Sequence, residues 1–364
     1  MQITAAVLRD PAGAHLIESV DLDEPRSGEV RVRVVGAGMC HTDVAPRAGI
    51  GMGAPPVIVG HEGSGVVDAV GPGVSGLEIG DHVVLSFDSC GDCANCRAGS
   101  PAYCDTMIPR NLSGRRLDGS TCVTGSDGQP IAARWFGQSS FATYCLATER
   151  NAVKIDGSVP LELMGPLGCG VQTGAGSVLI ALKVQPGTSL VIFGSGAVGL
   201  SALLAALVAG ATTIIAVDLQ ETRLALAREL GATHTLRGDD PELVAKIQSI
   251  TGGGAQYSFD TTGVASVMLG ALECLRMTGV CGYVGVQQTP LQIEGMTMLG
   301  RTAMGILEGG ADPQTFIPYM IDLWKQGRFP FDRLIQTYPM SHINEAEQSS
   351  LSGGTIKPIL LPGS

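Results

Sequence analysis

The sequence has few aromatic and few charged residues. Phe, Trp and Tyr make up 4% of the 364 residues and Asp, Glu, Lys and Arg only 16%, whereas 45% are hydrophobic and 51 are glycine. So low a charged fraction, with so much apolar side chain, excludes an intrinsically disordered chain. Abundant Ala, Val and Gly with few aromatics favour an α/β protein with buried parallel strands, and the length predicts two or three domains.

Basic residues are also scarce. The 23 Lys and Arg are outnumbered by 34 Asp and Glu, which gives a net charge of −11. A nucleic-acid backbone or an anionic membrane surface repels such a chain at long range. We therefore expect neither a nucleic acid nor a membrane among its partners.

Signals for export and for membrane insertion are missing. The first residues contain no basic segment followed by an apolar run, so no signal peptide is expected. The uncharged stretch 184–217 is long enough to span a bilayer, but Pro186 and several glycines interrupt it, which favours a buried strand, a turn and a buried helix. Ten cysteines without a secretion signal indicate metal ligation in a reducing compartment, and so a cytoplasmic location.

The pattern of the chain changes near residue 165. Before it, short alternating runs such as Val30–Val35 and Gly65–Val70 predict a mainly β domain. After it, strands alternate with helices, which predicts a parallel sheet with right-handed connections. The predicted domains are 1–165, 166–304 and a segment 305–364 that returns to the first domain. The predicted elements of the second domain are strands at Ser189–Phe193, Thr213–Val217, Tyr257–Asp260 and Val280–Val284, and helices at Ala197–Ala209 and Glu221–Leu230.

A G-x-G-x-x-G turn, formed by Gly194, Gly196 and Gly199, lies between a predicted strand and a predicted helix. Its glycines allow the backbone to approach a pyrophosphate, whose charge is stabilised at the helix N-terminus. Asp218 follows Gly199 by 19 residues, at the end of the next strand. Its carboxylate is suited to ribose hydroxyls and repels a 2′-phosphate, so NAD is predicted rather than NADP; only the nearby Arg223 favours a phosphate.

Four cysteines lie within 15 residues of a polar, turn-rich segment: Cys90, Cys93, Cys96 and Cys104. Four thiolates match the closed tetrahedral site of a structural zinc. A redox dithiol needs only one C-x-x-C pair, and a nucleic-acid zinc ribbon needs two separated pairs and a basic surface. We therefore predict a structural zinc ion here.

A second set of potential metal ligands is distributed over three segments. Cys40 follows a predicted strand, His61 and Glu62 come about 20 residues later, and Cys169 lies in a glycine-rich segment far along the chain. A lone cysteine is more often a small core residue than a ligand. Cys, His and Cys together, however, leave a fourth position on zinc open for water or substrate. Glu62 is then an alternative ligand or a residue that only orients the site.

These motifs together resemble those of the zinc-dependent medium-chain alcohol dehydrogenases, over nearly the whole chain. The segments that carry the resemblance are Cys40–Asp43, Gly60–Gly65 with Gly71, the four-cysteine loop, Gly168–Gly174 and the glycine turn with Asp218. Segments Gly168–Gly176 and Gly305–Gly310 look most like the benzyl- and aryl-alcohol dehydrogenase branch. The resemblance implies a doubly wound, Rossmann-type parallel sheet domain and a mainly β, GroES-like catalytic domain.

The resemblance also implies roles for individual residues. Cys40, His61 and Cys169 hold a catalytic zinc, and the four-cysteine loop holds a structural zinc, so each chain binds two zinc ions. Thr42 accepts the proton of the alcohol. Further implied contacts to NAD are His41 and Lys357 at the pyrophosphate, and Thr173 and Val198 at the nicotinamide.

The expected reaction is the reversible, NAD-dependent oxidation of a primary alcohol to its aldehyde, by hydride transfer from a zinc-bound alkoxide. In liver-type members a histidine five residues after the first zinc ligand completes the proton relay. This chain has Ala45 there, so we expect the nicotinamide ribose to release the proton directly to water. Aromatic pocket walls favour benzylic or allylic alcohols. The predicted lining is Phe87, Trp135 and Phe136, with Leu307 near the pocket mouth.

Two other interpretations stay open. A thiol–formaldehyde adduct or a hydroxy acid as substrate requires an added basic residue near the pocket mouth, and the loop with Arg110, Arg115 and Arg116 is the candidate. A non-catalytic NAD-binding sensor would lack a catalytic zinc ligand, whereas all three are present. Family members form dimers or tetramers, commonly across an edge strand of the nucleotide-domain sheet. A homodimer or homotetramer is therefore expected, with the edge near Val280–Val286.

Overall fold

The computed structural model describes residues 1–49, 54–287 and 289–363, and its chain divides into two compact units. The first unit comprises Met1–Cys169, Asp312–Met320 and Asp332–Ser364, and the second comprises Gly170–Ala311 and Ile321–Phe331. The first junction thus follows Cys169, four residues after the predicted boundary. The chain returns to the first unit at Asp312, and residues 321–331 again belong to the second.

The strands of the described residues are, in chain order, β1 (Gln2–Leu8), β2 (His15–Leu22), β3 (Glu29–Gly38), β4 (Glu62–Val70), β5 (His82–Leu85), β6 (Val123–Gly125), β7 (Pro130–Ile131), β8 (Tyr144–Thr148), β9 (Ala152–Lys154), β10 (Ser189–Phe193), β11 (Thr213–Asp218), β12 (His234–Arg237), β13 (Ala255–Asp260), β14 (Leu275–Tyr283), β15 (Thr302–Gly305), β16 (Ile335–Pro339) and β17 (Lys357–Leu361).

The α-helices are α1 (Ala94–Arg97), α2 (Met107–Asn111), α3 (Leu161–Met164), α4 (Gly170–Gly176), α5 (Ala197–Ala209), α6 (Glu221–Leu230), α7 (Leu243–Ile250), α8 (Ala265–Glu273), α9 (Gly295–Met298), α10 (Pro313–Lys325) and α11 (Ile343–Ser352). Short 3₁₀ helices lie at His41–Ala48, Pro101–Tyr103, Trp135–Gly137, Gly165–Gly168, Glu308–Gly310, Phe331–Leu334 and Met340–His342, and a π-helical turn lies at Ser177–Ala181.

The first unit contains two sheets built almost entirely of antiparallel strands. One has the order β1-β2-β6-β7, and the other has the order β16-β17-β3-β4-β5-β9, with β8 paired to β3. Strand β3 alternates as the sequence predicts: Val30, Val32 and Val34 are buried in the core, whereas Arg33 is exposed. The alternation places one face of the strand against the core.

The register of β3 and β4 brings two distant segments of the chain together. Gly38, the last residue of β3, pairs with Glu62, the first residue of β4. Cys40, just after β3, and His61, just before β4, therefore lie at the same end of the two strands. The proximity of these two predicted metal ligands is a direct result of antiparallel pairing.

The second unit has a parallel six-stranded sheet with the order β12-β11-β10-β13-β14-β15. Numbered from the first strand of this unit, the order is 3-2-1-4-5-6, that of a doubly wound dinucleotide-binding sheet. The elements predicted from strand–helix alternation are confirmed, including Gly231 in the left-handed conformation that ends α6.

The predicted edge of this sheet is wrong. Strand β14 pairs with both β13 and β15, so the Val280–Val286 region is not at the edge, and β15 is the terminal strand. After β14 the chain passes through α9 and adds one further parallel strand. Its sequence, Thr-Ala-Met-Gly, is too short and too weakly apolar to be recognised as a strand.

The long uncharged stretch 184–217 is explained by buried elements, as predicted. Strand β10 is buried along its whole length, and α5 buries most of its side chains. In the described residues no single helix has the length and apolar composition needed to cross a membrane; the broken pair Leu161–Gly168 and Gly170–Ala181 passes on those two criteria alone.

Candidate active site and metal centres

Three side chains of the first unit bring potential metal-ligand atoms together. Cys40, His61 and Cys169 each offer one ligand atom, and these atoms lie within 4.8 Å of one another. The backbone before Cys169 is held by Ser86, the residue after strand β5, whose hydroxyl donates a 2.6 Å hydrogen bond to the carbonyl of Gly168. The neighbouring strands β3, β4 and β5 therefore position all three residues.

The ring of His61 is oriented by Asp43. The Oδ1 atom of Asp43 lies 2.7 Å from Nδ1 of His61 and accepts a 2.9 Å bond from the Gly60 N–H, while its Oδ2 accepts a 3.0 Å bond from the Cys40 N–H. Nδ1–H donates this hydrogen bond to the carboxylate, so the neutral ring carries its lone pair on Nε2. This Nε2 atom is buried and has no hydrogen-bond partner among the described residues.

A buried imidazole nitrogen without a partner beside two cysteine sulfurs fits a metal ion. The Cys169 thiol and the His61 ring hold the pKa of Cys40 well below its usual value, although burial opposes this. Burial alone lowers the pKa of His61, but the Asp43 carboxylate outweighs it and raises that pKa well above its usual value. A thiolate is the form of cysteine that binds zinc. Two cysteine sulfurs and the Nε2 atom of His61 match the three-ligand zinc site that the sequence predicts.

Lys357 pairs with Glu62 inside the first unit. Its side chain is buried, and Nζ donates to both carboxylate oxygens of Glu62 at 2.8 Å and to the Met39 carbonyl at 3.0 Å. An ammonium group has three protons, and these three bonds use all of them. In this structure Lys357 holds Glu62 beside His61, and its assignment to the NAD pyrophosphate stays a prediction.

The 3₁₀ helix His41–Ala48 presents the other residues expected near the metal. Thr42 is half-buried, and its Oγ1 lies 3.8 Å from Sγ of Cys40. His41 is exposed at the start of the helix, and Ala45 packs against the core of the first unit. The structure therefore places the Thr42 hydroxyl next to the metal-ligand cluster.

This helix is anchored at its far end by an ion pair. Arg47 donates through Nε and Nη2 to the two carboxylate oxygens of Glu347 at 2.7 and 2.9 Å, and Nε2 of His15 lies 3.4 Å from Glu347. Burial raises the pKa of Glu347, but the hydrogen bonds from His15 and Arg47 outweigh it and lower the pKa to about 2.

This ion pair predicts a pH-dependent contribution to stability. A folded-state pKa below the unfolded value of 4.5 stabilises the protein fully above about pH 4.5, and the stabilisation is lost as pH falls toward about 2. The full contribution is about 3 kcal/mol. In urea unfolding at a series of pH values, Glu347→Gln should reduce stability at pH 7 and flatten its acid dependence. Glu345→Gln, an exposed change on α11, is the control, and equal curves for both variants would contradict the prediction.

Aromatic side chains lie against the metal-ligand cluster. The Phe136 ring stacks on the His61 ring, with centroids 4.3 Å apart and planes inclined by 23°, and Trp135 contacts Phe136 edge-on at 5.7 Å. Trp135 is completely buried, and Phe87, next to Ser86, is 2% exposed. Leu307 belongs to the second unit, where its side chain is 49% exposed.

The four-cysteine loop forms a second compact group of ligands. The sulfurs of Cys90, Cys93, Cys96 and Cys104 lie within 4.8 Å of one another. Backbone N–H groups point at them: Cys90 donates to the Cys104 sulfur at 3.3 Å, and Cys93 donates to the Cys90 sulfur at 3.2 Å. No disulfide joins any of the ten cysteines. Four converging sulfurs fit the closed site of a structural zinc.

The glycine turn of the second unit fits a dinucleotide. A Cβ on Gly199 would lie 1.8 Å from the Gly194 carbonyl, so only glycine allows the helix to approach the strand this closely. A Cβ on Gly196 would meet nothing within 4 Å, which leaves the N-terminus of α5 open to a phosphate group.

Asp218 ends β11 beside this turn. Its Oδ2 accepts a 2.7 Å bond from the Ser195 N–H and its Oδ1 a 2.9 Å bond from the Gln220 N–H, while Nη1 of Arg223 lies 3.8 Å from Oδ2. Each oxygen keeps a lone pair for a ribose hydroxyl.

Thr173 and Val198 lie on two helices in close contact within the second unit. A Cβ on Gly174 would lie 2.1 Å from the Val198 carbonyl, so α4 and α5 approach at this point. The Thr173 hydroxyl donates to the Glu308 carboxylate at 3.4 Å. The two residues expected at the nicotinamide are thus neighbours.

Comparison with known proteins decides the family. Residues 26–157 match the alcohol dehydrogenase GroES-like domain, and residues 197–326 match the zinc-binding dehydrogenase domain. The chain is 47% identical to a geraniol dehydrogenase of Castellaniella defragrans, over 98% of its own length and 97% of the relative. This chain belongs to the zinc-dependent medium-chain alcohol dehydrogenases.

Two solved structures show the same fold for this dehydrogenase. An alcohol dehydrogenase zinc-binding domain protein from Burkholderia ambifaria superposes with a TM-score of 0.97 at 48% identity, covering 100% of this chain and 99% of the other. The benzyl alcohol dehydrogenase of Acinetobacter calcoaceticus gives a TM-score of 0.95 at 44% identity, covering 99% of each chain. The predicted fold class is confirmed, and zinc and NAD are the cofactors of the enzyme.

The arginine loop of the dehydrogenase pairs with other groups. Arg110 lies 2.9 Å from Asp88, Arg116 lies 2.8 Å from Glu29, and Arg115 donates to the carbonyl of Gly119. Arg110 and Arg116 are therefore paired with carboxylates, whereas Arg115 is exposed and bonds a carbonyl.

Sequence reasoning gave no role to Asp43, although the residue stood in a quoted motif. A carboxylate three residues after the first ligand, on the helix that this ligand caps, was the available signal.

Proposed function

We propose that this alcohol dehydrogenase prefers primary alcohols whose carbinol carbon is attached to an aromatic ring or a double bond. The observation that carries the proposal is the Phe136 ring stacked on the zinc ligand His61, with Trp135 packed edge-on against it. Aromatic rings beside the proposed zinc ligand favour flat, apolar substrates. The relatives named for geraniol and benzyl alcohol support the same class.

The proposed catalytic metal ligands are Cys40, His61 and Cys169, and the proposed structural ligands are Cys90, Cys93, Cys96 and Cys104. When bound, zinc supplies a Lewis acid that lowers the pKa of the alcohol, and NAD supplies the hydride acceptor. Asp43 holds the His61 ring, and the Thr42 hydroxyl takes the proton of the substrate. Ala45, which packs against the core, offers no side chain to relay this proton, so with NAD bound the proton would leave to water without a side chain at this position.

In this proposal the first unit carries the zinc chemistry and the second binds NAD. Gly194, Gly196 and Gly199 receive the pyrophosphate, and Asp218 receives the adenosine ribose. His41 at the pyrophosphate, Arg223 at the ribose and Thr173 with Val198 at the nicotinamide complete the proposed cofactor contacts. The enzyme acts as a homodimer or homotetramer in the cytoplasm. Ten free cysteines support the second part of this proposal, because they are typical of a protein in a reducing compartment.

Asp218→Ser should weaken NAD binding and relax the discrimination against NADP. Loss of a charged hydrogen-bond acceptor costs about 1.5–3 kcal/mol, so KM for NAD should rise about 10- to 100-fold. KM for NADP should fall, because Arg223 loses its carboxylate neighbour. Steady-state kinetics with both cofactors make the measurement, and Asp239→Ser, an exposed acid paired with Arg237, is the control. If the ratio of KM for NAD to KM for NADP did not change, Asp218 would not be a cofactor-binding residue.

The substrate preference is tested by NAD reduction with benzyl alcohol, an allylic alcohol, a short alkanol and a hydroxy acid. We expect kcat/KM for benzyl alcohol to exceed that for the alkanol by about two- to tenfold, since an aromatic pair contributes about 0.5–1.5 kcal/mol beyond area burial. Phe136→Leu should reduce this ratio with little change for the alkanol. Equal activity on all alcohols would overturn the preference, and activity on the hydroxy acid alone would overturn the substrate class.

A further inference from the structure

Gln138 lies at the point where the segments of the active site meet. Its side chain is completely buried. The Nε2 group donates to the His61 carbonyl at 3.0 Å and to the Ser86 carbonyl at 3.1 Å, and Oε1 accepts a 3.1 Å bond from the Gly63 N–H. One amide therefore binds three backbone groups from two other segments.

Two of these hydrogen bonds fix the backbone at His61, one of the proposed zinc ligands. The His61 carbonyl and the Gly63 N–H stand on either side of Glu62, where the chain turns from His61 into β4. Asp43 fixes the imidazole at Nδ1, but it does not bind the His61 carbonyl. Gln138 supplies that second constraint, so the ligand is held through both its ring and its backbone.

The third backbone group, the Ser86 carbonyl, connects Gln138 to the segment of Cys169, another proposed zinc ligand. Ser86 accepts from Gln138 through its carbonyl and donates through its hydroxyl to the carbonyl of Gly168, the residue before Cys169. A displacement of Ser86 therefore moves the backbone next to Cys169. Through these bonds Gln138 is linked to two of the three ligands.

The same loop carries the aromatic wall. Gln138 follows Trp135 and Phe136 by two or three residues, and Phe136 has a φ of +51°, which is unusual for a side chain with a Cβ. Asn151 fixes this loop by donating to the Phe136 carbonyl at 3.1 Å and to the Ser86 carbonyl at 3.2 Å. The loop geometry and the ligand geometry thus depend on the same hydrogen bonds.

We propose that Gln138 is a positioning residue that couples the aromatic wall to the catalytic zinc ligands. The amide keeps the Phe136 ring stacked on His61 and holds the backbones of both His61 and Ser86 in place. The proposal rests on the zinc ligands and the substrate preference proposed above, and it adds a specific residue that relates the two.

The test compares Gln138→Met, which removes all three bonds at similar volume, with the wild-type zinc enzyme. The release of zinc to a chelator is measured, with the four-cysteine site as an internal reference in the same chain. Substitution of an outer-shell partner weakens metal binding about 10- to 100-fold, so the catalytic zinc should be released faster by about that factor while the structural zinc is unchanged. KM for benzyl alcohol should rise by a larger factor than KM for the alkanol.

Ser139→Ala is the matched control. Ser139 is buried in the same loop and makes two hydrogen bonds, to the Ile58 carbonyl and from the Trp135 N–H, but none to His61 or Ser86. It should lower thermal stability without accelerating release of the catalytic zinc. If Gln138→Met does not fold, Gln138→Asn replaces it, because the amide stays uncharged but is one methylene too short to reach all three backbone groups.

The number of bound zinc ions tests the proposed catalytic ligands, and the rate of zinc release tests the role of Gln138. Wild-type protein that binds one zinc per chain would contradict the proposed catalytic ligands. Two zinc ions per chain, with the same release rates in wild type and Gln138 variants, would overturn the role of Gln138 alone. Equal acceleration of zinc release by Ser139→Ala would show that loop stability, not Gln138, controls the metal.

Discussion

Cys169→Ala is expected to abolish alcohol oxidation while leaving the fold and one zinc ion in each chain. Two remaining ligands, Cys40 and His61, do not complete the three-ligand catalytic site that zinc requires. The Lewis acid contributes several kcal/mol to the chemical step, and about 1.4 kcal/mol is a factor of ten, so kcat/KM should fall at least about a thousandfold. The four-cysteine loop, which Cys169 does not join, keeps its metal.

The matched control is Cys145→Ala, another buried cysteine that belongs to neither ligand group. It should retain two zinc ions per chain and most of the activity, with some loss of stability from the cavity. Zinc content, benzyl alcohol oxidation and thermal unfolding are measured on both variants. Full activity of Cys169→Ala with two bound zinc ions would disprove the ligand assignment.

The features that could be predicted from the sequence are those whose residues lie close together along the chain. The glycine turn and the four-cysteine loop each lie within a few turns of chain, and their chemistry follows from spacing alone. Cys40, His61 and Cys169 are different, because their proximity depends on the pairing of β3 with β4 and on Ser86 holding Gly168. Their residue types suggested a possible zinc site, and the resemblance to the family indicated that these three residues form it together.

The features that sequence reasoning missed depend on long-range packing. Glu62 and Lys357 are separated by 295 residues, and no local pattern indicates that a C-terminal lysine enters the active-site core. Gln138 is one polar residue in a loop, and its three partners are backbone groups with no sequence signature. Strand β15 was missed because its pairing with the parallel strand β14, and not its own four residues, makes it a strand.

The buried pair of Glu62 and Lys357 predicts a second large effect. Their side chains are 0% and 3% exposed, and both Nζ–O distances are 2.8 Å. Burial lowers the pKa of Lys357, but the attraction of Glu62 outweighs it and raises that pKa above its ordinary value. For Glu62, burial outweighs the attraction of Lys357 and raises the pKa of the carboxyl above its ordinary value. Each of the two buried groups therefore depends on the other to compensate its charge.

Lys357→Met should destabilise the enzyme by about 3–5 kcal/mol, because it leaves the Glu62 carboxylate buried without a counter-charge next to the zinc ligands. Adding Glu62→Gln removes that charge, so the double variant should recover most of the lost stability, as measured by urea unfolding. Lys154→Met removes a lysine whose bond to Asp81 lies at the surface, and it should have little effect. If Lys357→Met instead left stability unchanged and raised KM for NAD, Lys357 would serve the cofactor after all. Recovery in the double variant, with KM for NAD unaltered, would establish that this lysine acts on Glu62.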